Sequence, residues 1–254
     1  MSTSRREGRQ KMNGKLCVSG LVPVLIILLF SALIANGCQS ANVVTEERPV
    51  SDFNCVSLSG GGEVVITQGD EESLTVEAEG SMMSYIKTEV QDGTLILGFT
   101  DEAQQKGFRV TKPIEFRLSM KEIIGLDVSG PGNIHVPSLH TDQSEFVVNM
   151  GGGISVDSLS AEELVVRLTG RARVDVAGQV VEQNIYLAGG QYRAGKLETQ
   201  VATVEVRGIG NAIVWATDAL DVQVSGGGNV EYYGNPHVIR KVSGRAKLCS
   251  LGVQ

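Results

Sequence analysis

Val206-Arg207-Gly208-Ile209-Gly210-Asn211-Ala212 is one of seven copies of a single phrase: an apolar residue, a polar one, a glycine-rich corner, then another apolar residue. Four copies precede it, the first three being Val128-Ser129-Gly130-Pro131-Gly132-Asn133-Ile134, Val148-Asn149-Met150-Gly151-Gly152-Gly153-Ile154 and Leu168-Thr169-Gly170-Arg171-Ala172-Arg173-Val174. A shortened Leu187-Ala188-Gly189-Gly190-Gln191-Tyr192 follows, and after the quoted copy come Val224-Ser225-Gly226-Gly227-Gly228-Asn229-Val230 and Val242-Ser243-Gly244-Arg245-Ala246-Lys247-Leu248. The leading apolar residues stand 20, 20, 19, 19, 18 and 18 positions apart. A near-constant period of this size marks a solenoid, in which each repeat buries its apolar face against its neighbours.

Between corners the pattern alternates. Leu164, Val166 and Leu168 interleave with Val165, Arg167 and Thr169, and Ile154-Ser155-Val156 and Val174-Asp175-Val176 alternate after their corners. Alternation at period two puts one stripe inward and one outward on a strand. A further apolar residue, Leu139, Leu159, Leu197 or Leu220, is placed to fill the core near the next bend. A repeat near 19 residues leaves no room for crossover helices, so the expected fold is all-β: a single-stranded parallel β-helix whose seven coils give a rod of roughly 30 Å. The corner positions Gly130, Gly132, Asn133, Gly152, Gly170, Gly189, Gly208, Gly210, Asn211, Gly226, Gly228, Asn229 and Gly244 are read as structural. Small residues let backbones stack at a sharp bend, and asparagine tolerates left-handed dihedrals and can form a ladder. A phosphate-cradling reading fails, because no helix follows and no Gly-Lys-Ser/Thr is present.

Residues 52–120 have β character without the repeat, as in Glu63-Val64-Val65-Ile66 and Thr94-Leu95-Ile96-Leu97. They are expected to form atypical first coils and an irregular cap, ahead of regular coils over 121–250. Leu58-Ser59-Gly60-Gly61-Gly62-Glu63-Val64 reads as an outlying copy, and Met82 to Lys87 as one helical turn. A solenoid needs atypical ends, since its terminal coils offer unpaired strand edges.

The first 37 residues read as a signal peptide. Five basic residues precede the uncharged apolar run Leu21–Ala35, which is shorter than the roughly 20 residues of a membrane span. The run ends at Ala35-Asn36-Gly37-Cys38, which is similar to a lipobox, making Cys38 the candidate for acylation after cleavage. Residues 38–51 read as a flexible tether. Without the leader the chain has 17 basic against 28 acidic residues, a balance of −11. That excludes nucleic acid as a partner and assigns membrane attachment to the lipid, not to surface charge. Cys55 and Cys249, at opposite ends of the domain, are expected as separate buried thiols.

The Ser-Gly-x-Gly-Asn-Ile phrase resembles the head GIN domain family of putative auto-transporter adhesins, over about residues 52–248. The resemblance extends to Val64-Ile66-Gln68-Gly69, to Asp92-Gly93-Thr94-Leu95 and to Val230-Glu231-Tyr232-Tyr233-Gly234-Asn235-Pro236, similar to the family's Tyr-x-Gly-x-Pro signature. Met150 at a glycine position, the short Gly189 corner, and Arg171 and Arg173 are departures. The resemblance implies a right-handed β-helix at the cell envelope and brings no catalytic residues.

Candidate chemistry is sparse. His135 and His140 flank Pro137 near Asp142 but match no common zinc spacing. The outward position after each corner holds His135, Ser155, Asp175, Arg193, Ile213 and Glu231 in turn. Asp175 beside Arg193 is expected as an ion pair, with no second carboxylate beside it for glycoside hydrolysis. Arg167, Arg171, Arg173 and Arg193 form a candidate basic contact for an acidic glycan or protein. Of the aromatics that could stack on sugars, Tyr192 is expected to fill the shortened corner and Trp215 to cover an edge. No cofactor or metal is implied. The expectation is a non-enzymatic, lipid-anchored envelope module that binds an unknown protein or glycan. The alternatives are an envelope scaffold that binds another membrane protein, or a polysaccharide-active enzyme.

Overall fold

The computed structural model describes residues 42–106 and 112–254. The leader over 1–37 and Cys38 lie outside the described residues. Residues 41–254 form one compact unit. Its first half contains β1 (Val43–Arg48), β2 (Cys55–Ser59), β3 (Glu63–Gln68), β4 (Ser73–Glu79), β5 (Ile86–Gln91), β6 (Thr94–Phe99), α1 (Asp101–Lys106) and β7 (Glu115–Met120). The second half contains β8 (Gly125–Ser129), β9 (Asn133–Val136), β10 (Leu139–Asn149), β11 (Gly153–Leu168), β12 (Arg173–Leu187), β13 (Gln191–Gly208), β14 (Asn211–Gly226), β15 (Asn229–Tyr233), β16 (His237–Gly244) and β17 (Lys247–Gly252).

From β8 onward every strand pairing is parallel and rung on rung, a β-solenoid of about seven turns. Each long strand β11–β14 leaves one corner, bends, and runs on to the next. Before the corner the inward column is Leu126, Phe146, Val166, Ile185, Val204 and Val222; after it, Ile134, Ile154, Val174, Tyr192, Ala212 and Val230. All twelve are buried. Full burial of an aliphatic side chain contributes about 1.5–3 kcal/mol, so each added rung stabilises the last.

Leu139, Leu159 and Leu197 are buried as expected, and Gly178 occupies their column on the intervening rung. Leu220 is buried in a different column, in register with Ala202 and Gln183, because the repeat has by then shortened.

The N-terminal part departs from chain order. The outlying corner at Gly60–Gly62 is a true rung: β2 and β3 lie in register under β8 and β9. Beneath them lies a rung formed later in the sequence, β6 and β7, with α1 in the excursion that replaces its corner. β5 pairs antiparallel with β6, and β4 pairs antiparallel with both β7 and β1, finishing the cap. The turn expected within Met82–Lys87 is a single 3-10 turn, Met83–Tyr85.

Two expectations fail here. Residues 43–48 of the expected tether form β1, in register from Val43↔Glu79 to Arg48↔Leu74, because the edge of β4 offers unpaired backbone groups. Cys249 is exposed on the last rung instead of buried, and Cys55 is half-buried; both are free thiols. Among the described residues no helix is long and apolar enough to cross a membrane.

Candidate functional site

The corners stack glycine on glycine. Gly130, Gly170, Gly189, Gly208, Gly226 and Gly244 each lie against the backbone of the preceding corner, and Gly132, Gly152, Gly210 and Gly228 form a second such column. Gly152 has φ +76, and a Cβ there or at Gly228 would collide with the carbonyl oxygen of Gly132 or Gly210. Met150 occupies the first column with φ +70, a conformation costly to a residue with a Cβ. Asn133, Asn211 and Asn229 are not left-handed; they begin strands. Asn211 Oδ1 accepts from the Asn229 N–H at 3.2 Å, and Asn133 donates to Glu63 Oε1 at 2.8 Å. Gly153, Arg173 and Gln191 interrupt the column between them, so no continuous asparagine ladder forms.

The outward file after the corner is His135, Ser155, Asp175, Arg193, Ile213 and Glu231, each in register with the next. Beyond this file the strands bend. Register shifts fall between Val156 and Leu159, between Asp175 and Ala177, and between Ala194 and Glu198. The bends open a lateral groove of about 630 Å³ lined by Asp157, Asp175, Arg193, Lys196, Ile213 and Tyr233, among others. Gly195 makes room for the Tyr233 ring, whose edge would lie 3.1 Å from a Cβ there. Gln254 Nε2 donates to the Gly195 carbonyl at 2.6 Å on the same wall.

The expected Asp175–Arg193 pair is not formed. Asp175 accepts from Arg173, two residues earlier on its own strand, and Arg193 donates to Gln191 Oε1 at 2.8 Å. Residues i and i+2 on a strand face the same side, so the local pair competes well with the cross-strand one. The groove also contains a second carboxylate, Asp157, which the repeat did not reveal because it sits in the bend.

His135 shares a 2.9 Å hydrogen bond through Nδ1 with Ser155 Oγ, while its Nε2 lies 3.4 Å from Asp157 Oδ2. No local motif marks this Ser/His/Asp arrangement in the sequence. Its signal was present: a 20-residue step stacks Ser155 on His135, and two residues more reach Asp157. Acyl transfer would also need donors aimed at a developing oxyanion. Ser155 is mid-strand, where backbone N–H groups lie in the plane of the ladder and point to neighbouring strands. His140 is exposed and separate from this site; its N–H donates to Gln68 Oε1.

The four arginines do not form one patch. Arg167 faces out before the corner, paired with Glu145 at 2.7 Å and stacked 4.5 Å over Tyr186. Arg171 is at a corner tip, and Arg173 and Arg193 face out after it. Trp215 is half-buried mid-sheet, in register with Glu198 and Tyr233, not at an edge. Tyr192 follows the shortened corner and points into the bore. Fully buried, it donates to Gln183 Oε1 at 2.9 Å, and desolvation pushes its phenol above the ordinary tyrosine range.

A family model described as putative auto-transporter adhesin, head GIN domain, matches residues 52–236. Among solved structures, a putative adhesin from Bacteroides fragilis NCTC 9343 is similar at 22% identity and TM-score 0.76, over 84% of this chain and 98% of that one. A putative lipid binding protein from Parabacteroides distasonis ATCC 8503 is 21% identical with TM-score 0.66, over 84% and 98%. A putative adhesin from Parabacteroides merdae ATCC 43184 is 19% identical with TM-score 0.64, over 84% and 97%. At these identities the likeness is one of fold. No curated protein matches the chain.

Proposed function

The chain belongs to the putative auto-transporter adhesin, head GIN domain family, and from that premise we propose an exported, non-enzymatic binding module of the cell envelope, lipid-anchored through Cys38. The observation that carries the reading is the lateral groove. Its walls offer an aromatic ring at Tyr233, carboxylates at Asp157 and Asp175, and the cations Arg193 and Lys196. Convergent polar groups beside an aromatic face suit a protein loop or a glycan. The family description supports an adhesion-like role. With β1 beginning at Val43, the spacer after an acylated Cys38 is residues 39–42, a covalent reach of at most about 14 Å.

The test is a screen of residues 41–254 against glycans, extracellular matrix and envelope extracts. A ligand of the groove loses roughly thirtyfold in affinity, about 2 kcal/mol, on Tyr233→Ala or Arg193→Ala. Arg167→Ala on the opposite arm leaves it unchanged. Turnover of a polysaccharide or ester that disappears with Ser155→Ala would overturn the non-enzymatic reading, and capture of an endogenous membrane protein alone would favour a scaffold. Palmitate labelling of the full chain, lost in Cys38→Ala, tests the anchor.

A further inference from the structure

The seven regular corners form a ridge that contains no carboxylate, on a chain with a formal charge of −7. Five cations lie along it: Arg171, Arg173, Arg207, Arg245 and Lys247. Arg173 and Arg207 are paired with Asp175 and Glu205 on the flanks. Arg171, Arg245 and Lys247 are exposed, with no carboxylate partner among the described residues. Two apolar side chains project from the same ridge, Met150 one rung before the first cation and Ile209 beside Arg207. Met150 is 70% exposed and Ile209 77% exposed, three rungs apart, or about 14 Å along the ridge.

Met150 is the more informative of the two. It holds a left-handed backbone that glycine adopts at the next corner without penalty, and it buries little in return. An outlier of this kind that the fold does not use points to a role at the surface. Protruding apolar side chains on a ridge with uncompensated cations match the boundary of an anionic bilayer, where apolar groups enter the acyl region and cations meet headgroup phosphates. A second copy packed ridge to ridge would set cation against cation. An acidic glycan would have no use for Met150 and Ile209.

We propose that this corner ridge is a lipid-facing surface, which rests the rod lengthwise on anionic membrane. The acidic flanks then point away from the headgroups, so the overall negative charge does not prevent contact. The site is distinct from the lateral groove and does not depend on Cys38.

The test uses residues 41–254, which form their own compact unit and lack Cys38. Co-sedimentation compares mixed phosphatidylcholine–phosphatidylglycerol vesicles with pure phosphatidylcholine at low salt. Each cation near an anionic surface contributes roughly fivefold in partitioning, so Arg171→Glu with Arg245→Glu lowers binding by more than about 25-fold. Met150→Ser with Ile209→Ser lowers it at least about tenfold. Met150→Gly weakens binding while raising thermal stability, which separates contact from folding. Arg193→Glu with Lys196→Glu, an equal charge change in the groove, leaves binding within about threefold because these residues lie off the ridge. Equal binding to neutral vesicles, or equal losses from ridge and groove variants, would overturn the proposal. So would binding to polygalacturonate that depends on Arg171 and Arg245 but not on Met150 and Ile209, since the occupant would then be a polyanion.

Discussion

Replacing Tyr192 by Phe removes one hydroxyl from the centre of the bore, and the structure sets the size of the effect. The hydroxyl donates to Gln183 Oε1, both side chains are fully buried, and Gln183 Nε2 has no partner. Tyr192→Phe strands the amide oxygen as well, at a cost of about 1–3 kcal/mol. Gln183→Leu strands the hydroxyl but removes the orphaned amide nitrogen, so its two effects, each about 1–3 kcal/mol, nearly cancel. The double variant removes both polar groups. Leucine already stands in this column at Leu164 and Leu220, so the bore accepts it. The double variant is therefore expected to be as stable as the parent or up to about 2 kcal/mol more stable, a coupling of about 1–5 kcal/mol between the sites. Urea unfolding of residues 41–254 measures this, with an unchanged slope as the internal check. Thermal melts should show about 2–4 °C per kcal/mol. Two additive losses would refute the reasoning, because the pair would then be no more than two separate packing contacts. The pH dependence gives an independent check. Because the folded phenol ionises only above the unfolded value, stability is full below pH about 10 and falls as pH rises beyond it. Tyr192→Phe removes that decline, so the two stability curves converge in alkali.

Three further outcomes follow from the same geometry. Asp127 is half-buried, and desolvation raises its carboxyl above the ordinary aspartate value despite the hydrogen bond from Ser57. Its charged form is disfavoured by folding, so Asp127→Asn should raise stability at neutral pH by up to about 1 kcal/mol, with the advantage vanishing as pH falls below about 4; pH-dependent urea midpoints measure it. Gly228→Ala drives a Cβ into the Gly210 carbonyl and should cost more than about 2 kcal/mol, whereas Gly227→Ala, whose Cβ would lie 3.7 Å from Ile209 at the corner tip, should cost under about 1 kcal/mol. Comparable melting temperatures for the two would contradict the stacked-corner account. Met150→Gly relieves the left-handed backbone and should gain about 1 kcal/mol in the same unfolding assay.

The regular coils were legible because a solenoid is almost a local object. Each rung touches its neighbours about 19 residues away, so the step from Val128 to Val148 to Leu168 states both which strands pair and in what register. The outward file from His135 to Glu231 came from the same count. Legibility ended where that count broke. Asp157 and Lys196 enter the groove at bends, where the register shifts, and Asp175 chose Arg173 on its own strand over Arg193 across the ladder.

By itself the sequence determined the coil, because a period-two aliphatic stripe interrupted by small residues can bury its face only by stacking on copies of itself. It also determined which residues bend the chain, since close backbone approach excludes a Cβ. Tertiary structure alone decided the cap, in which β6 and β7 lie beneath β2 and β3 despite following them in the chain, and β1 adds to the edge of β4. These pairings join segments that share no repeat. They are selected by the demand of exposed strand edges for hydrogen-bond partners, a demand that appears only once the rungs have formed.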